Sequence, residues 1–247
     1  RDHCVTGVQT CALPISSSLL VTYQHISTAS IATALFKRGL RNQFIQNVHP
    51  LNSKKMVGEA FTLRYIPARE DLNPIQVFQD AKHPQRLAIE QCPKNGVLVI
   101  DSRKDARAAS AGSILITRLM KRGAAGVVPD GGFRDSEAVA ALDFPSFHQK
   151  PSAPTNLTLH QATDINVPIG CGDVAVFPGD LVVGDGDGVI IIPIHLVAEI
   201  AKECRAMEKY EAFVLEKVHK GESIIGLYPL TDALIKQQFA EWQERQY

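Results

Sequence analysis

No charge of either sign dominates this chain: Lys and Arg number 26 and so do Asp and Glu, for a formal net charge of zero. Without a global basic field, attraction to nucleic acid or to an anionic membrane surface is disfavoured. Long apolar runs are missing too, since no uninterrupted stretch approaches the ~20 residues of a membrane span, and residues 1–26 do not show the charged, apolar and cleavage regions of a signal peptide in order. The expectation is a soluble, cytoplasmic protein. The five cysteines (Cys4, Cys11, Cys92, Cys171 and Cys204) form no C-x-x-C pair and are too scattered for a disulfide framework, so a reducing compartment suits them. Cys171 has no sequence neighbour placed to lower its pKa and reads as a small buried residue.

Several catalytic signatures are absent as well. There is no G-x-S-x-G, no H-E-x-x-H and no Walker loop. Gly184-Asp-Gly-Asp-Gly188 invites a phosphate-loop reading, but the strand-like run Val189–Ile192 follows it where a helix N-terminus is required. It lacks the ligand pattern of an EF-hand also, and a tight Asp/Gly turn is the better reading. His160 reads as a hydrogen-bonded loop or core histidine rather than a metal ligand.

What is present is ample apolar content, 45% of 247 residues, enough for a buried core. The first residues, Arg1 to Ile15, carry no periodicity and look like a translated adaptor or cloning scar. Residues 1–18 are expected to be a non-native, disordered tail, and residues 19–247 one domain with a C-terminal helical extension. Ser27 to Gly39 has the cap, apolar spacing and closing glycine of a helix. Val57 to Ile66 alternates as a strand does, and Gly96 to Asp101 is a wholly apolar strand ending in an acid. Ala111 to Arg122 pairs Leu115 with Leu119 and Ile116 with Met120 at helical spacing. Short strands broken by Pro-Gly and Asp-Gly turns fill residues 167–193. A long charged helix is predicted over Pro193 to Lys220 and a shorter one over Asp232 to Glu244.

The stretch that organises these elements is Gly123-Ala-Ala-Gly-Val-Val-Pro-Asp-Gly-Gly-Phe-Arg-Asp135: a short buried strand, a glycine turn, then an Arg-Asp pair. With Gly96 to Asp101 and the intervening helix it predicts a parallel crossover, whose strand ends are where open α/β sheets place ligands. Gly131 and Gly132 are expected to let a ligand approach the backbone. Arg134 and Asp135 suit an anionic substrate held against a divalent cation.

Gly112-Ser-Ile-Leu, Arg122-Gly-Ala-Ala-Gly-Val-Val, Asp130-Gly-Gly-Phe-Arg-Asp135, Pro178-Gly-Asp180 and Gly184-Asp-Gly-Asp-Gly-Val189 together resemble the RraA-like family, from about Ile26 to Tyr228. That family joins 4-hydroxy-4-methyl-2-oxoglutarate aldolases, or class II pyruvate aldolases, to regulators of ribonuclease E activity. Some relatives have been labelled demethylmenaquinone methyltransferases. The resemblance implies an α/β fold of the α-β-β-α swivelling-domain type, with central β structure flanked by helices and long C-terminal helices. It also implies a homotrimer or homohexamer with the site at a subunit boundary.

By the same resemblance Arg134 holds the carboxylate of pyruvate or a related 2-oxo acid, and Asp135 anchors Mg²⁺ or Mn²⁺ largely through waters. Backbone amides after Gly112, over Ser113, Ile114 and Leu115, contact the substrate, as unpaired first-turn amides would. A glutamate from the next subunit's C-terminal helix assists; Glu211 is the candidate, with Glu208 next. One position departs from the aldolase branch, which carries an Asp twenty-one residues before the Arg, where this chain has Ser113. A hydroxyl is not an ordinary base at neutral pH, so Asp101, Asp105 or the neighbour's glutamate is expected to supply one. The function expected is a metal-dependent lyase on a 2-oxo acid. The alternatives are a regulator that inhibits ribonuclease E by contact, without touching RNA, and a metal-assisted hydratase or hydrolase on a sugar-acid derivative.

Overall fold

Gly96–Asp101 forms the strand its composition demands and lies inside a six-stranded sheet in the computed structural model, which describes residues 14–245. In chain order the sheet's strands are β1 (Met56–Pro67), β2 (Gly96–Asp101), β3 (Gly126–Pro129), β4 (His160–Ile165), β5 (Leu181–Gly184) and β6 (Val189–Ile192). Their order across the sheet is β6-β5-β1-β2-β3, with β4 also on β1. β2 runs parallel to both β1 and β3, in register from Glu59 with Gly96 and from Val97 with Gly126. The first half of β1 pairs antiparallel with β5 and its second half with β4, across a bulge between Arg64 and Tyr65. The parallel crossover from β2 to β3 is therefore present as predicted.

Among the described residues seven helices accompany the sheet: α1 (Ser17–Tyr23), α2 (Thr28–Lys37), α3 (Pro84–Gln91), α4 (Ser113–Lys121), α5 (Ser136–Ala140), α6 (Val197–His219) and α7 (Ala233–Glu244). Alternation along β2 sends Leu98 and Ile100 to one face, where Ala88, Ile89, Ile116, Leu119 and Val139 of α3, α4 and α5 cover them. Val97 and Val99 point the other way, against the small hairpin that carries Ile169, Cys171, Val174 and Val176. α1, α2 and α6 close over β5 and β6. α7 packs on the far half of α6 through Phe213, Phe239 and Trp242. The α/β arrangement expected, with central β structure flanked by helices and long C-terminal helices, is the one found.

Three local differences from the sequence reading have tertiary causes. Ala111 was expected to begin a helix but ends a short strand, Ala109–Ala111, parallel to Gly132–Phe133, which in turn pairs with Lys150–Pro151. Alanine's helix propensity is worth only tenths of a kcal/mol per residue, and a partner strand overrides it. A 3₁₀ turn, Ile194–Leu196, precedes the long helix, which starts at Val197 rather than Pro193. Most of the tail set aside at the N-terminus lies outside the described residues, but Ser16 caps α1 and Ile15 N donates to Glu59 Oε1 at 2.7 Å, so the ordered fold reaches back past Ser18. Among the described residues no helix is long and apolar enough to cross a membrane.

Candidate functional site

The short parallel pair Ala109–Ala111 and Gly132–Phe133 sets two chain segments side by side, and Arg134 N donates to Ala111 O at 3.0 Å. The next residue on one segment is Gly112, the N-cap of α4; on the other it is Arg134 followed by Asp135. Gly112 carries no side chain that could cap the helix, and Asp135 takes that place from across the gap. Its Oδ2 accepts from Ser113 N at 3.2 Å and from Ser113 Oγ at 3.0 Å. A carboxylate at a helix N-terminus satisfies an orphan amide and meets the positive end of the dipole.

This closeness requires the glycine, because a Cβ on residue 112 would lie 2.6 Å from Arg134 Cγ and 3.0 Å from Asp135 Oδ2. Asp135 itself has φ 56° and ψ 37°, a left-handed conformation that acids visit more readily than most residues. Arg134 Nε stands 4.0 Å from Asp135 Oδ1, with both side chains about half exposed (49% and 45%). The pair is loose and its hydrogen-bonding capacity is mostly unspent.

Gly112, Ile114, Leu115, Arg134 and Asp135 line one side of a cleft of about 260 Å³. Ser113 is adjacent, but its hydroxyl is turned onto Asp135. Ile114 is 82% exposed at the edge. Five predicted positions and Ser113 are thus brought together. Glu211 and Glu208 do not line the cleft of their own chain: Glu211 accepts from Tyr228 Oη at 3.5 Å, and Glu208 accepts from Ser27 N and Ser27 Oγ at 2.9 and 2.8 Å. Glu208 is spent at the start of α2. Of the other acids considered, Asp101 accepts from Arg103 N at 2.9 Å, and burial pushes its carboxyl above the usual range. Asp105 is gripped by the Arg107 guanidinium at 2.7 Å, which holds it well below that range. Neither lines the cleft.

The two glycines of the turn do not serve as expected. Added Cβ atoms would meet Ser102 Cβ at 2.6 Å and Ser110 Oγ at 2.7 Å from Gly131, and Ser152 Cβ at 2.8 Å from Gly132. Protein, not ligand, fills the space they leave. Asp130 beside them is 1% exposed and accepts from Ser102 N at 2.5 Å, Gly172 N at 3.0 Å and Lys104 N at 3.2 Å. Burial raises its carboxyl to about 6. Cys171, fully buried, has its thiol pushed well above the ordinary value by burial, as a structural cysteine would. His160 is buried, stacks on Tyr65 at 5.4 Å and holds Asp105 O through Nε2 at 3.1 Å, a core histidine as read.

A metal is testable against this donor set. Among the described residues no three His, Cys, Asp or Glu side chains gather as a cluster. A cation here would have one protein carboxylate oxygen, Asp135 Oδ1, whose partner oxygen is committed to Ser113. One carboxylate, several waters and substrate oxygens is the set that a reluctantly dehydrating ion such as Mg²⁺ accepts. The residues fit such an ion and do not fit zinc, which takes three or four protein ligands.

A family profile described as RraA-like, Aldolase/RraA, matches residues 28–191, which include every segment that walls the cleft. The chain belongs to the RraA-like family. One RraA-like relative, from Halalkalibacterium halodurans, bears the name "Putative 4-hydroxy-4-methyl-2-oxoglutarate aldolase" and is 34% identical over 178 residues, covering 70% of this chain and 76% of that one. The crystal structure of an uncharacterized Pseudomonas syringae protein matches with a TM-score of 0.75 at 26% identity, over 88% of this chain and all of that one. Streptomyces coelicolor RraAS2, an unusual member of the RNase ES inhibitor RraA protein family, matches at 0.72 and 26%, over 81% of this chain and 96% of its own. Aldolase-named relatives support a lyase-type reading of the RraA-like cleft, and the likeness to an inhibitor family supports a regulator reading.

The sequence reading missed five further residues of the cleft lining, Phe78, Gln85, Arg86, Thr155 and Asn156. Nothing local marks these residues, since α3 meets α4 only once both pack on one face of the sheet.

Proposed function

We propose that this RraA-like protein is a divalent-metal-dependent lyase that breaks a carbon–carbon bond in a 2-oxo acid, by retro-aldol cleavage or decarboxylation. One observation carries the reading: a guanidinium, the unpaired first-turn amides of α4 and a carboxylate with an uncommitted oxygen meet at one cleft. Arg134 offers a planar fork that matches a carboxylate. The amides of Ile114 and Leu115, with no carbonyl of their own helix to bond, add donors and the positive end of the dipole. When the C–C bond breaks, its electron pair remains on the pyruvate-like fragment as an enolate, a charge of the sign that these groups stabilise. Mg²⁺ or Mn²⁺ held by Asp135 and waters would supply Lewis-acid charge beside the 2-oxo group.

Ser113 cannot replace an acid as base, because its proton is donated to Asp135 and a hydroxyl ionises far above neutral pH. What it does is hold Asp135 in place without adding a second negative charge. Proton transfer then falls to a water or to Glu211 of the partner subunit in a homotrimer or hexamer.

With Mg²⁺ or Mn²⁺ present, a panel of 4-hydroxy-2-oxo acids and oxaloacetate is expected to yield pyruvate for at least one member, read by coupling to lactate dehydrogenase. Release from none contradicts the reading. The regulator reading, favoured by the likeness to Streptomyces RraAS2, differs in its consequence: ribonuclease E would be captured and inhibited equally well by Arg134→Ala.

A further inference from the structure

We infer that the groove between α1 and α6, which shares no lining residue with the cleft, docks an acidic amphipathic helix of a partner protein.

Two cavities of about 510 and 330 Å³ lie along this groove and have Thr22, Arg205 and Lys209 in common. Their lining follows α6 from Ala198 to Lys209, which at the helical rise is ~16 Å, or about three turns. Lys202, Arg205 and Lys209, three and four residues apart, stand exposed on that face. Lys202 and Arg205 make no ion pair or hydrogen bond among the described residues. The acids of the same stretch of helix are spent elsewhere. Glu199 and Glu203 each hold Arg38 at 2.6 Å, and Glu208, the one acid in the lining, accepts from Ser27 Oγ at 2.8 Å. α1 carries no acid at all. A chain with no net charge thus gathers cations along one groove without neutralising them, and such a row attracts carboxylates.

The rest of the lining indicates what carries those carboxylates. Ala198 and Ala206 are small and exposed, so a second helix can come close to α6. Leu19 and Val21, the latter 61% exposed, add apolar surface on the α1 side. A floor of small and apolar residues beside a row of cations complements a helix with leucines on one stripe and acids along its flank. Single-stranded nucleic acid is matched less well, because no aromatic side chain lines either cavity for bases to stack on.

The test is fluorescence anisotropy with a fluorescein-labelled peptide of about 20 residues built on the repeat Leu-Glu-Glu-Leu-Ala-Glu-Ala, long enough to be helical. Wild type is expected to bind it at least about tenfold more tightly than a scrambled peptide, which has the same charge but no apolar stripe. Lys202→Glu combined with Arg205→Glu should abolish that preference. Ala206→Trp, which fills the floor and leaves the charge as it was, should weaken binding by a similar factor. These positions are exposed and lie outside the cleft, so both variants should unfold at the wild-type temperature and release pyruvate as wild type does. Equal binding of the scrambled peptide, binding that survives either variant, or tighter binding of a thymidine oligonucleotide than of the peptide overturns the inference. None of these results touches the lyase reading of the cleft.

Discussion

At the hairpin between β5 and β6, Asp185 accepts from Thr28 N at 2.8 Å, Thr28 Oγ1 at 2.7 Å and Asp187 N at 3.1 Å, with Lys55 Nζ at 3.6 Å. Across the molecule, in the stretch that leaves β3, Asp130 is spent in the same way on three backbone amides, whereas Asp135 gives one oxygen to Ser113 and keeps the other without a hydrogen bond. Both stretches are acid-and-glycine turns following apolar strands, and composition does not separate them. What separates them is whether the fold uses up the acid's lone pairs. At 185 the carboxylate ties the start of α2 and Lys55, the residue before β1, to the hairpin, and at 130 it ties two loops together. At 135 the acid is left half available beside a guanidinium of similar exposure. Only the last arrangement can serve a ligand without taking the fold apart.

The comparison is sharpened most by Asp130. Its carboxyl sits near 6, above the 3.8 it has when exposed, chiefly because burial disfavours the charge. The folded chain therefore holds this proton to higher pH than the unfolded chain does. The stability it contributes is present below about pH 4 and falls as pH rises from there to about 6, by roughly 3 kcal/mol in all. Urea unfolding of wild type and Asp130→Asn between pH 4 and 7 should show wild type losing ground steadily to the variant, and a difference flat in pH would break the account of a buried, amide-bound acid. A smaller effect is expected at the hairpin. Asp185→Ala removes acceptors for two partly buried Thr28 donors and should cost about 2 kcal/mol in urea unfolding, with pyruvate release unchanged. A loss of activity without loss of stability would reverse the contrast with Asp135.

The regular parts of this fold were legible because their signals are local. β2 has the bounds its apolar run implied, Gly96–Asp101, and Asp232 caps α7 through Leu234 N at 2.8 Å. Gly112, Arg134 and Asp135 were singled out through a pattern spread along the chain, and the strand pair Ala109–Ala111 with Gly132–Phe133 is what sets those positions side by side. The errors arose where distant segments decide. Gly131 was read as open to a ligand, but Ser102 and Ser110 occupy that space. Arg86 and Asn156 carry no local mark at all, because their place in the cleft lining is settled only once the chain is folded.

On the lyase reading, the Arg134 guanidinium, set against the start of α4, is expected to hold the substrate's carboxylate. Calorimetric titration of oxalate, in the presence of Mg²⁺, onto wild type and Arg134→Ala tests it most directly. The account predicts that the variant unfolds at the same temperature but binds oxalate at least about tenfold more weakly, as loss of a charge-assisted bond of about 1.5–3 kcal/mol requires. Equal affinity in the two proteins would contradict it.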